Sequence, residues 1–230
     1  NVRSEMDITK VAMDTVKKLK RIEFLDGLYF ATIITSLFAV SKGISLSQIV
    51  IAQGIYSVTI VFMEVPTGLI ADKFGRKTSM ALGYLASALG IVFFTLAPSV
   101  IALYVMRFLQ STGSALVSGA NEALLFEAAN EANLNYKKES SKLNSNSIIG
   151  LCIAGIIAGI IYQIFGSSSF IPLLVLSAQV QLLAFFYSLM IKEGRKKAKN
   201  PIVEEELKAF EILSSTVKMI KNNKIIFALT

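Results

Sequence analysis

Long apolar runs, separated by shorter polar segments, set the pattern of this chain. A helix needs about 20 mostly apolar residues to cross a bilayer. Six stretches reach or approach that length: residues 23–40, 47–71, 78–97, 100–126, 147–165 and 169–191. A seventh run opens near Ile225 and is cut off at Thr230. The runs are too long for barrel strands, which need about ten residues, and they lack a period of two. The pattern therefore predicts an all-α integral membrane protein. Residues 1–21 form a polar segment, 22–191 a membrane-embedded bundle, 192–224 a linker and 225–230 the start of a further span. Within the linker, Val203, Leu207, Phe210, Val217 and Ile220 recur at helical spacing among Glu204, Glu205, Glu206 and Lys208. That spacing predicts an amphipathic helix lying on the membrane surface, on the spans above it, or serving as a plain linker.

Composition sharpens the picture. The chain is 53% hydrophobic and 17% charged, with a mean hydropathy of +0.60, whereas soluble domains carry about 25% charged residues. Disordered chains, disulfide scaffolds and ordinary soluble enzymes are excluded on this ground. Histidine is absent, so no His metal site, His-based triad or His relay exists. Cys152, in an apolar run, reads as a small buried hydrophobe. No metal or cofactor site is expected, and no catalytic set. The first 21 residues do not form a cleavable leader.

The basic residues set the orientation. Arg3, Lys10, Lys17, Lys18, Lys20 and Arg21 precede the first run; Lys73, Arg76 and Lys77 follow the second. Lys137, Lys138 and Lys142 follow the fourth, and Lys192, Arg195, Lys196, Lys197 and Lys199 the sixth. The alternate segments, 41–46, 98–99 and 166–168, hold only Lys42. The bias places the N-terminus in the cytoplasm of a multi-pass inner (plasma) membrane protein. It also accounts for the net charge of +7, so no nucleic-acid partner is needed. The abundance of Lys, Ile and Asn hints at a bacterial source.

One cytoplasmic segment carries more than charge. It reads Gly68-Leu-Ile-Ala-Asp72-Lys73-Phe-Gly75-Arg76-Lys77. Gly68 admits a close neighbouring helix. Asp72, at a helix C-terminus, opposes the helix dipole and needs a positive partner. Gly75 permits a tight reversal, and Arg76 and Lys77 offer donors to an acidic group on another helix. The stretch resembles the signature loop between helices two and three of the major facilitator superfamily: Gly, three residues, Asp, a basic residue, any residue, Gly, two basic residues. Residues 107–115, Arg107-Phe-Leu-Gln110-Ser-Thr-Gly-Ser-Ala, resemble that family's fourth helix, with Ser111 in place of its usual Gly. The fifth run lacks the Gly-Pro step common in its drug–proton antiporters. The segment 68–75 can also be laid on 159–166, both opening and closing on Gly.

The resemblance implies one six-helix half of a twelve-helix transporter, built of two inverted three-helix repeats and followed by the start of helix seven. It implies alternating access for a small solute, with protons as a coupling ion and efflux as the direction, and a C-terminal six-helix half and the lipid bilayer as partners. Ionisable residues inside spans are site candidates: Asp26, Glu64 two residues before Pro66, and Arg107, with Gln110 and Asn121 as polar neighbours. Glu64 titrates, pairs with a base, or stays neutral. Arg107 holds an anionic group, biases a carboxylate, or makes a structural pair. Gln53, Tyr56, Ser57, Gln179 and Gln181 are further cavity candidates. An inner gate would join Arg76 to Glu127 or Glu122 and set Asp72 against the missing half. The rivals are an integral membrane enzyme of lipid metabolism and a multispan receptor or scaffold.

Overall fold

The computed structural model describes residues 2–191, with side chains from Met6 onward except those of Val65 and Asp72. The surface helix and the seventh span expected beyond Ile191 lie outside the described residues. Among the described residues, seven α-helices form: α1 Val2–Gly27, α2 Ala31–Ser41, α3 Leu46–Phe74, α4 Arg76–Leu96, α5 Val100–Glu131, α6 Tyr136–Phe165 and α7 Phe170–Leu189. A 3-10 turn, Gly166–Ser169, joins the last two, and no strand occurs among the described residues.

Local chemistry explains the boundaries. Ser45 and Gln48 form a reciprocal capping box at the start of α3. Ser99 caps α5 by accepting from the Ala102 amide, and Asn135 caps α6 by accepting from Lys138. Gly75 and Gly166 close α3 and α6 at φ +92° and +56°, where a side chain would be strained. The two glycines that end the matching segments 68–75 and 159–166 thus end their helices in the same way.

The first run is not one helix: α1 stops at Gly27 and α2 starts at Ala31, with Leu28–Phe30 outside both. The polar stretch 127–146 is mostly helical, because α5 runs on to Glu131 and α6 begins at Tyr136. Outside the bilayer a helix needs caps rather than apolar residues, and Asn135 provides one.

Two apolar clusters define the bundle. One gathers Val16 and Leu19 of α1, Ala71 near the end of α3, Met80 near the start of α4, Leu124 late in α5, Leu143 early in α6 and Ile191 after α7. The other gathers α2, the start of α3, the end of α4, the start of α5, the end of α6 and the start of α7. From the α1–α2 unit onward, successive elements therefore run in alternating directions. Among the described residues, the segments rich in Lys and Arg fall at the first cluster, called here the basic end, and Lys42 lies at the other.

Five helical stretches among the described residues are long and apolar enough to cross a membrane; the last, Tyr136–Leu189, contains both α6 and α7. Large apolar side chains such as Val50, Val61, Phe62, Ile101, Ile156 and Phe186 are exposed on the outside, as lipid allows and water disfavours. Cys152 is also exposed rather than buried, on the same apolar run. Inside, small residues let backbones meet: a Cβ on Gly83 would lie 2.5 Å from the Gly113 carbonyl oxygen, and the Ser79 hydroxyl donates to the Leu116 carbonyl at 3.0 Å. These contacts press α4 onto α5.

Candidate functional site

The break in the first run lies between the two apolar clusters. The Leu28 amide donates back to Phe24 and Leu25, and the Tyr29 amide to Gly27. Gly27 is pressed against α6: a Cβ there would stand 2.1 Å from the Ser147 carbonyl oxygen, and a Cβ on Gly150 would stand 2.6 Å from that of Phe24. A side chain at either position would force α1 and α6 apart. Asp26, just before the break, and Tyr29, within it, border a polar region at mid-bundle.

A cavity of about 440 Å³ opens there, walled by Asp26, Tyr29, Gln53, Tyr56, Arg107 and Gln181 among others. A second, of about 250 Å³, lies toward the basic end, walled by Glu23, Asp26, Tyr84, Asn121, Glu122 and Asn144 among others. Asp26, Ser87 and Ser114 border both, so the two share a wall.

Hydrogen bonds tie this wall together, one within α5 and the others between segments. Arg107 Nη1 donates to Gln110 Oε1 at 3.2 Å, and Gln110 Nε2 meets the Tyr29 hydroxyl. Tyr56 donates to Ser114 at 3.1 Å, Gln181 Nε2 to Asp26 Oδ1 at 3.1 Å and Asn121 Nδ2 to Glu23 Oε1 at 2.5 Å. Arg107 makes no ion pair with a carboxylate among the described residues, and its buried Nε has no hydrogen-bond partner there.

The sequence candidates fall into two groups. Asp26, Arg107, Gln110, Asn121 and Glu122 border the cavities, as do Gln53, Tyr56 and Gln181. Glu64 stands exposed on α3 outside both, Gln179 is exposed, and the Ser57 hydroxyl donates to its own helix at Gln53. Pro66 sits inside an unbroken α3; the Thr67 hydroxyl lies within hydrogen-bond distance of the Met63, Glu64 and Ala115 carbonyls, which ties the helix to α5 at that point.

At the basic end, Arg76 Nη1 and Glu127 Oε1 stand 2.6 Å apart, both side chains largely buried. Both belong to the same bundle, so this pair fastens α4 to α5. Lys73 lies over the Phe74 ring, 5.4 Å from its centroid. Lys77 lies in the first turn of α4. Gly68 meets no described neighbour: a Cβ there has open space within 4 Å, so no helix among the described residues uses its small size. The Asp72 side chain lies outside what is described.

Sequence reasoning overlooked a second fastening at this end. Glu139 joins Lys20 of α1 and Lys142 of its own helix, the latter at 2.7 Å. Hydrogen bonds from Lys142 and Lys20 hold its carboxyl below the ordinary range. Lys18 Nζ donates to the Met190 carbonyl at 3.0 Å. Glu23 and Tyr84 in the smaller cavity also went unremarked. The available signal was the spacing of Glu23 and Asp26, three apart on one helix.

Against known proteins, residues 22–230 match the Major Facilitator Superfamily. The chain belongs to this superfamily. An uncharacterized MFS-type transporter of Bacillus subtilis, YxaM, is 26% identical over 188 residues, covering 82% of this chain and 46% of the relative. The Escherichia coli inner membrane transport protein YajR is 35% identical over 92 residues, covering 40% of this chain and 20% of the relative. An uncharacterized transporter of Buchnera aphidicola is 30% identical over 104 residues, covering 45% and 24%. The chain thus spans less than half the length of these curated relatives. As a superfamily member with apolar spans, it is a multi-pass membrane protein.

Proposed function

We propose that this chain forms the N-terminal half of a secondary transporter that carries a small solute by alternating access. In this reading a C-terminal six-helix half supplies the other wall of the cavity, and the two halves rock about it. The protein sits in the inner membrane with the basic end in the cytoplasm, and protons drive export. The observation that carries the reading is the polar cavity at mid-bundle, centred on Asp26, Arg107 and Gln110, inside an exterior of exposed apolar side chains. Ionisable groups at that depth are costly and mark solute or ion pathways. The relatives' printed names, all transporters, support it over the lipid enzyme and the receptor.

The test uses the full-length protein in proteoliposomes with a trapped pH dye. A panel of amines, amino acids, sugars and organic acids is added in turn under an imposed pH gradient. A solute-dependent proton flux is expected for at least one class, falling about tenfold or more in Arg107→Ala. Flux that is absent for every class, or unchanged in Arg107→Ala, overturns the reading or the role of Arg107 respectively.

A further inference from the structure

The exposed side of α3 is divided lengthwise. Gln53, Ser57 and Glu64 are exposed on one face of the helix, at spacings of four and seven. Gly68, four residues further, continues that face, and a Cβ there has open space. Ile51, Val58, Phe62 and Leu69 are exposed on the adjoining face, at spacings of seven, four and seven. Lipid suits the second face and not the first. Glu64 makes the contrast acute. It lies nine residues before Lys73, about 13 Å along the helix from the basic end. Its carboxylate makes no ion pair and no hydrogen bond among the described residues. A carboxylate at that depth is costly without a partner, and such groups pair with one another or face a protein interior.

The surroundings narrow the choice of partner. Gln53, at one end of the polar face, borders the larger cavity, so whatever closes that cavity also lies along this face. The chain spans less than half the length of its curated relatives, which leaves a comparable length of protein to cover it. A second copy fits poorly, because a two-fold contact through this face brings two Glu64 carboxylates together. The covering element must instead bring positive charge to the level of Glu64. We propose that Glu64 forms an ion pair inside the membrane with a Lys or Arg of the C-terminal half, which makes this face of α3 a charge-matched seam between the halves. The pair differs in kind from Arg76–Glu127, which fastens helices within one bundle. The inference rests on the two-half reading above and adds the partner chemistry of one residue.

The experiment measures the Tm of the full-length protein in detergent. In a Glu64→Lys background, each Lys and Arg within the spans of the C-terminal half is exchanged for Glu, one at a time. Intramembrane charges are few, so the set is small. Glu64→Lys should lower Tm by several degrees, and one exchange should return it to the wild-type value. If Glu64→Lys does not fold, Glu64→Gln decides: it keeps the shape, strands the partner's charge and should lower Tm, with recovery when the partner is changed to Met. A wild-type Tm in Glu64→Gln overturns the pair, as does the absence of any restoring exchange; Glu64 is then a hydrated surface group. Ser57→Cys, with every other cysteine replaced by Ala, should stay monomeric under oxidation. A disulfide-linked dimer would give the face to a second copy and overturn the seam. A restoring exchange in a protein without gradient-driven flux would keep the pair and sink the transporter reading; flux without a restoring exchange would sink the pair alone.

Discussion

Single atoms decide whether the centre of this bundle can form. Gly27 and Gly150 hold α1 against α6 closely enough that any Cβ meets backbone, which cannot rotate away. A forced methyl in a packed contact costs about 1–3 kcal/mol. Gly159, about two and a half turns along α6 from Gly150, has nothing within 4 Å of its would-be Cβ. There Ala gains helix propensity worth about 1 kcal/mol. Gly27→Ala should therefore lower the Tm of the full-length protein, while Gly159→Ala leaves it unchanged or slightly raised. Equal behaviour of the two variants would show that the α1–α6 contact is looser than drawn. The break at Leu28–Phe30 is not legible in the sequence: no proline marks the place, and the Ser147 carbonyl packed against Gly27 just before it belongs to another helix. Asp26, Arg107, Gln110 and Asn121 are legible because polar atoms inside apolar runs stand out. Glu23 hides at the edge of a run, and Tyr84 hides because its ring counts as apolar. Glu64 misleads in the opposite sense, since spacing along α3 does not say which face meets the cavity.

Between elements, charge and helix dipoles act together. Arg76 is the first residue of α4, where the helix end repels a cation, and Glu127 lies in the last turns of α5, where the end disfavours an anion. Each is misplaced on its own helix, and the contact at 2.6 Å compensates both. Reversing one charge leaves two like charges half-hidden together, at a cost of order 3 kcal/mol. Reversing both restores the pair and sets each charge favourably on its own dipole. Arg76→Glu and Glu127→Arg should each depress Tm, and the double variant should recover it to the original value or above. A double variant no more stable than the worse single one would rule out direct fastening. A double variant that is stable but transports nothing would assign Arg76 a further partner, in keeping with its place in the signature loop. That loop was legible at the level of its turn, because Gly75 takes φ +92°. The role of Gly68 was not, because the steric reason for a small residue there does not lie among the described residues.

For the whole molecule, the alternation of helix directions and the collection of basic residues at one end are two independent facts that must agree with a single insertion. Among the described residues, Lys17, Lys20, Lys73, Arg76, Lys77, Lys137 and Lys142 fall at one end, and Lys42 stands at the other. Insertion retains segments rich in Lys and Arg on the cytoplasmic side. The orientation can be read with single cysteines in a background where Cys152, the one cysteine of these 230 residues, and any cysteine of the remaining chain are replaced by Ala. Ser168 lies exposed in the turn between α6 and α7, and Asn130 lies exposed near the end of α5. A thiol reagent that cannot cross membranes should label Ser168→Cys in intact cells and leave Asn130→Cys unlabelled until the cells are opened. The reverse pattern would put the basic end outside and overturn the proposed orientation. Labelling of both positions in intact cells would mean insertion in both directions, and the charge bias would then be too weak to direct the chain.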